Sequence, residues 1–553
     1  MTVQREKIRY FATILTFGAS SLFSAAGSAQ SIAPRFNNIS QAAGLSQIKS
    51  NKYFSPTVAD LDRDGYYDLI LSNHGGKSIG GVPFPSPEMY WGSSTGFRPF
   101  VHKTPLRLAI PTNGTDFHGF SAGYFGNQDD YPDLVFSLGG RSGTGGNLPI
   151  TAEFTGAGNG RDYIVRKDQN RTDGLVDPSL QALGIDGHGR GRSSFFIDID
   201  QDGDLDLVYN NAGPKPGTSG TAITDSKFIY EWQSGKFNRL ADIGELKDNP
   251  SGLGALVDVN HDDRLDLLYF EGNKPLQAWT NLWQGPGFRL DNSFFPFRVD
   301  KVTAAAEIDY DGDGDLDLYL TRSAYRGGED DYLFEWDQTQ KKYVDVSRSA
   351  RLPQGGMHMG ISVGDFDNNG YQDIFISRYS ADNARLNDLI LMNQGDKTFR
   401  TVENHGATVL SAGEDGNQTE VFDYDRDGKL DILSGSVNGP WRLFQNKTRN
   451  DNGNFVSVRV GRSINAANHA PLGATVIVVA QKGQQTKRFI RRIGSQGQSH
   501  AQSFLDTMHF GLGEFDTIVK IIVKYGSYKE VTSFESAPES ANKTITVGDF
   551  FER

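Results

Sequence analysis

Seven times the chain repeats one short pattern: carboxylates at alternate positions, a glycine, two residues, a further aspartate, then an apolar run. Five copies are complete: Asp60, Asp62, Asp64, Gly65 and Asp68; Asp198, Asp200, Asp202, Gly203 and Asp206; Asp309, Asp311, Asp313, Gly314 and Asp317; Asp365, Asp367, Asn369, Gly370 and Asp373; and Asp423, Asp425, Asp427, Gly428 and Asp431. A sixth, with Asp258, Asn260, Asp262 and Asp266, has Asp263 where the glycine should stand. A seventh, between Tyr124 and Asp133, keeps Asn127, Asp129 and Asp133 but lacks the first carboxylate and the glycine. The copies begin near residues 60, 124, 198, 258, 309, 365 and 423. Units of that length, each holding several short strand-like runs and turn residues, indicate radially repeated four-stranded blades. The expected fold is all-β: a seven-bladed β-propeller.

Carboxylates at positions 1, 3, 5 and 9 of a tight loop, with the position-7 carbonyl, offer an all-oxygen cage. Such a cage suits calcium, a hard ion taking six to eight oxygens, better than magnesium, which holds its waters. The position-6 glycine permits the sharp turn that brings both halves of the loop to one ion. Softer metals would want His or Cys, and neither occupies these positions. The loop resembles the first nine residues of an EF-hand without its final glutamate. The flanking segments Gly360 to Phe366 and Leu430 to Leu433 are short apolar runs, so each loop joins two strands rather than two helices. About six calcium sites are expected, the loop near Tyr124 being empty or weak, with a structural rather than catalytic purpose.

Several units carry a later hairpin with aromatic shoulders, as in Tyr90 to Phe97, Trp232 to Phe237, Trp283 to Phe288 and Met392 to Phe399. These aromatics read as blade core. An outer strand such as Tyr343 to Ser347 follows, but the last unit, ending Trp441 to Phe444, has none. The missing strand stands at the other end of the chain, Arg35 to Ser40, so the ring should close by an N-terminal strand in the last blade. From about Asn452 the repeat stops and a different β pattern begins, with strand-like runs at Thr475 to Val479, Arg488 to Ile493 and Ile518 to Val523. The expected domains are a signal peptide over 1–29, the propeller over 30–452 and a small β-rich domain over 453–553. Removal of the last should leave the propeller folded.

Arg5, Lys7 and Arg9 precede an apolar stretch from Tyr10 to Phe23 and small residues ending at Ala29, the pattern of a secretory signal. Nothing later approaches a membrane span. The absence of cysteine suits a bacterial exported protein, periplasmic, surface-held or secreted. The formal net charge of −13 resides largely in the loops, which argues against nucleic acid or an anionic membrane as partner. The chain is expected to be a monomer.

Enzyme signatures are sparse. Gly360-Ile-Ser-Val-Gly364 has the spacing of a nucleophile elbow but runs straight into the Asp365 loop, where that motif needs a helix. No His-Glu-x-x-His or cysteine pair is present. One constellation could bind a ligand: His118, His188 and His358 each precede a loop at the start of an innermost strand, and Arg190, Arg192 and Glu414 hold similar places. Equivalent positions on successive blades would converge at the mouth of the central channel.

The repeats resemble FG-GAP or VCBS-type repeats, as in the integrin α-subunit propeller. The tail is similar to the ASPIC/UnbV domain, in Asn468 to Ala474, Gly494-Ser-Gln-Gly-Gln498 and His509-Phe-Gly-Leu-Gly513. The two together are the arrangement of cartilage acidic protein 1-like proteins. Where that family has a Trp-Pro-x-Gly turn, this chain has Lys524-Tyr-Gly526. The resemblance implies a secreted, calcium-binding protein of adhesion or matrix type, whose partner would be a glycan or a protein surface. The alternative is a calcium-stabilised enzyme working at the channel mouth.

Overall fold

The computed structural model describes residues 32–45, 47, 55–72, 88–99, 115–124, 131–141, 163–167, 175–176, 184, 191–211, 227–249, 252–282, 287–324, 327–379, 386–408, 415–449, 453–464, 468–495, 497, 499–526, 531–534 and 538–550. Residues 1–29, read as a signal peptide, lie outside them.

Seven sheets follow one another along the chain, each built on an antiparallel four-strand path. Their innermost strands are Pro56–Ala59, Thr115–Gly123, Gly191–Ile197, Leu253–Val257, Val302–Ile308, His358–Gly364 and Asp415–Phe422. Each touches the next around a full circle, and Pro56–Ala59 meets Asp415–Phe422 to complete it. The protein is therefore a seven-bladed β-propeller. Small hydroxyls lace neighbouring blades: Thr57 Oγ1 donates to Phe120 O (2.9 Å), Ser193 Oγ to Gly252 O (2.8 Å) and Thr303 Oγ1 to His358 O (2.7 Å).

The second strands explain why the apolar runs after each loop are continuous. Asp68–Leu71, Asp206–Asn211 and Asp266–Phe270 are buried at every position, because each blade is covered on both faces by its neighbours. The hairpin aromatics belong to the blade cores: Trp232 pairs across strands with Phe237, their rings 4.8 Å apart and edge to face. The last blade runs Phe36–Asn38, Arg442–Asn446, Asp431–Val437, Asp415–Phe422, with Phe36 opposite Asn446. The two ends of the propeller thus share one sheet. Deleting residues 30–41 would bare the edge of Arg442–Asn446 and open the ring. We expect such a protein to aggregate or to be cut rapidly by protease. Wild-type protease resistance would contradict the closure.

Beyond the propeller, Thr507–Gly513, Asn454–Val460 and Lys543–Val547 form a three-stranded sheet, the last pair parallel. Gln485–Arg492, Thr475–Lys482, Thr517–Lys524 and Val531–Phe534 form a second. Their facing residues, among them Val456, Val476, Ile521 and Phe510, share one apolar cluster with Ile70, Phe120 and Phe196 of the propeller. This continuity argues against the expectation that removing residues 453–553 leaves the propeller folded.

The described residues between Ser495 and Phe504 reach the innermost strands of all seven blades. Ser495 O accepts from Glu307 N (3.0 Å), Ser499 O from Gly254 N (3.1 Å), and Phe504 N donates to Val58 O (2.9 Å). Gly497 lies so close to the sixth blade that a Cβ there would fall 2.1 Å from Ile361 O. Ser503 bonds Glu420 of the seventh blade, whose carboxyl burial pushes up to about 7. Gln502 is fully buried. Its backbone pairs with Phe120 O and Ala122 N of blade two, both at 3.0 Å. Its side-chain amide does the same to blade three: Oε1 accepts from Phe196 N (2.8 Å) and Nε2 donates to Phe196 O (3.1 Å). The protein's own chain thus runs along the innermost strands that face the channel.

Candidate metal centres

In each described loop the aspartates first organise the backbone. In five of the six described loops the position-1 carboxylate accepts from the position-6 N–H, as Asp60 does from Gly65 (3.0 Å), Asp365 from Gly370 (2.7 Å) and Asp423 from Gly428 (2.8 Å), whereas Asp309 accepts from Gly312 N at position 4 (2.9 Å). The position-5 side chain accepts from the position-7 N–H, as in Asp64 to Tyr66 and Asn369 to Tyr371, both 2.8 Å. Such turns need left-handed backbone at positions 4 and 6: Arg63, Gln201, Asn368 and Arg426 lie at φ from 56° to 62°, and Gly65, Gly370 and Gly428 from 81° to 89°. Asp263, in the glycine's place, is held at φ 64°, where a short polar side chain is tolerated better than most.

Position 9 has a further task that the spacing did not reveal. Asp68 accepts from Leu61 N (2.7 Å) and from Gly92 N (2.8 Å), tying the loop to the end of the blade's third strand. Asp206 does so with Ile199 and Trp232, Asp373 with Phe366 and Asn393, and Asp431 with Tyr424 and Asn446. The same holds for Asp266 with Val259 and Asn281, and for Asp317 with Tyr310 and Trp336.

Five loops bring three carboxylates together, each offering an oxygen within 4.8 Å of the other two: Asp60, Asp62 and Asp68; Asp198, Asp200 and Asp206; Asp309, Asp311 and Asp313; Asp365, Asp367 and Asp373; Asp423, Asp425 and Asp431. Oδ1 of Asp60, Asp198 and Asp425 is buried with no hydrogen-bond partner, a costly state for a carboxylate oxygen unless a cation sits against it. Burial, aided by neighbouring carboxylates, pushes Asp60, Asp309 and Asp423 up to about 7 and Asp365 to about 8. The donor set fits a hard divalent cation.

The sixth loop differs. Arg492 Nη2 reaches Asp258 Oδ2 at 3.0 Å and its Nε reaches Glu307 Oε2 at 2.9 Å, all deeply buried. Arg264 pairs with Asp262 in the same loop. Two arginines thus engage two carboxylates of this loop, whereas the Asp309 loop meets one cation, Lys397 on Asp311 (2.5 Å). Basic side chains of the C-terminal sheets also approach position 1 elsewhere: Arg459 lies 3.4 Å from Asp60 and His469 3.7 Å from Asp198. The acidic loops and the C-terminal sheets therefore share one face of the propeller. Residues 125–130, the core of the eroded loop, fall outside the described residues.

Of the residues expected at the channel mouth, the structure describes the side chains of His358 and Arg192 and the backbone of His118. His358 is 1 % exposed and its Nδ1 lies 2.7 Å from Asp331 Oδ2, which also accepts from Tyr319 Oη. It is a strut between blades five and six. A β-bulge between His358 and Gly360 breaks the alternation on which convergence depended. Arg192 is half-buried, its Nη1 donating to Gly191 O at 3.3 Å. His118 sits in the innermost strand of blade two, at a register shift of the same kind. His188, Arg190 and Glu414 lie outside the described residues.

These pKa directions have a consequence in metal-free protein. A carboxyl whose folded pKa exceeds its unfolded value holds protons better when folded, so stability is lost as pH rises from about 4 through 7. In EGTA the Tm should rise between pH 8 and pH 5. The stabilisation conferred by calcium should shrink over the same range, because the ion competes with protons. A Tm in EGTA that falls on acidification to pH 5 would contradict these shifts.

A seven-bladed propeller with acidic inter-strand loops and an appended pair of sheets is the class that fold and site define. The FG-GAP-like repeat family matches residues 309–376, and the ASPIC and UnbV family matches residues 464–549. The chain carries both modules. It is similar to cartilage acidic protein 1 of Mus musculus, 26 % identical over 283 residues (45 % of this chain, 40 % of that protein), and of Homo sapiens, 25 % over 269 residues (45 % and 39 %). The match thus spans about two fifths of those relatives' length. Among solved structures, the chain is similar to two of BBS1N in complex with ARL6DN. The mercury-soaked one has TM-score 0.36 at 10 % identity, covering 75 % of this chain and 97 % of that one. The lead-soaked one has 0.40 at 9 %, covering 74 % and 96 %. No helix among the described residues is long and apolar enough to cross a membrane.

Proposed function

We propose that the protein is an exported calcium-binding propeller that holds a glycan or protein partner on its surfaces, the ions serving to fix the blades. The observation that carries this is the set of five carboxylate triads, three of which hold a buried oxygen with no hydrogen-bond partner. Asp60, Asp62 and Asp68 and their counterparts would hold the ions, which would neutralise the clustered charge and brace each loop against its third strand. The count is revised from six to five, because Arg492 and Arg264 engage the carboxylates of the Asp258 loop. Residues 1–29 would direct export. The chain segment along the channel-facing strands and the buried His358, held by Asp331, lend no support to an active site at the channel mouth, so binding through exposed surfaces is preferred. Calorimetric titration of calcium into metal-free protein tests the metal reading. Dissociation constants of about 10⁻⁴ to 10⁻³ M are expected, as for extracellular modules, and a flat isotherm would sink it. Screening the calcium-loaded protein against immobilised glycans and matrix proteins tests the partner reading. Failure to retain any of them would remove the adhesion role.

A further inference from the structure

Where blades seven and one meet the C-terminal sheet lies a pocket of about 320 Å³. Four cationic side chains line it, Arg426, Arg459, Arg491 and Lys543, against one carboxylate, Asp423. Three of the four already have partners: Arg459 lies near Asp60 and Asp506, Lys543 pairs with Glu539, and Arg426 donates to Gly65 O. Arg491 does not. It is 6 % exposed, donates one bond from Nη1 to the adjacent Ile490 O (2.8 Å) and lies 5.4 Å from the centre of the Phe510 ring. Among the described residues no carboxylate forms an ion pair with it. A guanidinium carries five N–H donors and stays charged, so a buried one without a counter-ion is costly. Burial pulls it down to about 10, with Asp309 and Asp365 opposing from a distance. His509 supplies a second orphan in the same wall: its Nε2 donates to Gly428 O (3.1 Å), while Nδ1 is buried with no partner and can accept a hydrogen bond.

The remaining walls name the kind of anion. Tyr66 and Phe455 present aromatic surface, and Ser457, Thr507, Thr544 and Thr546 present hydroxyls. Asn542, Thr544 and Thr546 are exposed, so the pocket opens to solvent along the edge of Lys543–Val547. Aromatic faces, hydroxyls and one deep fixed cation suit a ring bearing several hydroxyls and one carboxylate. The volume falls at the small end of ligand pockets, right for a single sugar unit. We infer that this pocket binds a uronic acid residue, its carboxylate on Arg491 and a ring hydroxyl on His509 Nδ1. This deepens the glycan arm of the binding reading and rests on it only for the source of the sugar.

The test is calorimetry of the full chain in millimolar calcium with glucuronate, glucose and inorganic sulfate as probes. Glucuronate should bind, glucose should not, and sulfate should bind at least tenfold more weakly. Arg491→Met should abolish glucuronate binding. Should that variant fail to fold, Thr544→Trp, at the exposed rim, fills the mouth and should abolish binding with Tm unchanged. No binding of glucuronate to wild type, equal binding of glucose, or wild-type affinity in Thr544→Trp would overturn the assignment. Equal affinity for sulfate would overturn the sugar. Loss of glucuronate binding in Thr544→Trp with retention of polymeric partners would leave the surface-binding reading standing separately.

Discussion

Replacing Gln502 with leucine is expected to lower the Tm by on the order of 10 °C, though the side chain touches no candidate metal site. Leucine matches its size, but leaves Phe196 N and O without the partners that Gln502 provides at 2.8 and 3.1 Å. Each orphaned buried backbone group costs about 1–3 kcal/mol, so the pair costs about 2–6 kcal/mol, and a large domain loses about 2–4 °C for each kcal/mol. Removing residues 453–553 altogether should go further and give insoluble protein. It strips the filling from seven innermost strands and splits an apolar cluster containing Ile70, Phe120 and Phe196. Thermal melts of Gln502→Leu and soluble yield of the truncation check both. An unchanged melt, or a monodisperse truncated propeller, would mean that the channel segment is an ornament.

Stripping divalent cations should have a comparable effect. At about 2 mM calcium, with dissociation constants of about 10⁻⁴ to 10⁻³ M, each site adds about 0.6–1.8 kcal/mol. Five triads then supply about 3–9 kcal/mol, and EGTA should lower the Tm by on the order of 10 °C or more. Asp365→Asn should reproduce about one fifth of that loss, since it weakens one cage among five. The expected signature is a Tm that climbs with calcium and not with equal magnesium. Coincident melts in calcium and EGTA would remove the stabilising role.

Much of this architecture is legible in the chain because its loops are local. Positions 1, 3, 5 and 6 talk to one another within nine residues, so their spacing carries both the turn and the donor set. The strand at Phe36–Asn38 could also be anticipated, because a blade lacking its outer strand must find one. What escaped sequence reading is contact between distant segments. Asp68 bonds Gly92, Asp431 bonds Asn446, and neither distance is fixed by the motif. Gly494 to Gln498 stood out as a motif, yet nothing local says that this segment enters a ring built hundreds of residues earlier. That Gln502 would imitate a strand edge with its side chain depends on a gap between blades two and three. For His358 counting along the strand was not enough, because it assumes strict alternation and a register shift between His358 and Gly360 breaks it. Arg491 gave no signal at all, since a strand carrying Arg488, Arg491 and Arg492 reads as a solvated edge until its burial is known.

The central claim is that the repeated loops are calcium cages, and metal stoichiometry tests it most directly. The purified protein should be dialysed to equilibrium against about 20 mM calcium, enough to saturate sites of about 10⁻⁴ to 10⁻³ M, and the calcium in excess of the dialysate counted by mass spectrometry of the digested sample. The account predicts five calcium ions per chain, and four when Asp365 and Asp367 are both replaced by asparagine. One ion or none, or a count unchanged by that double substitution, would contradict it.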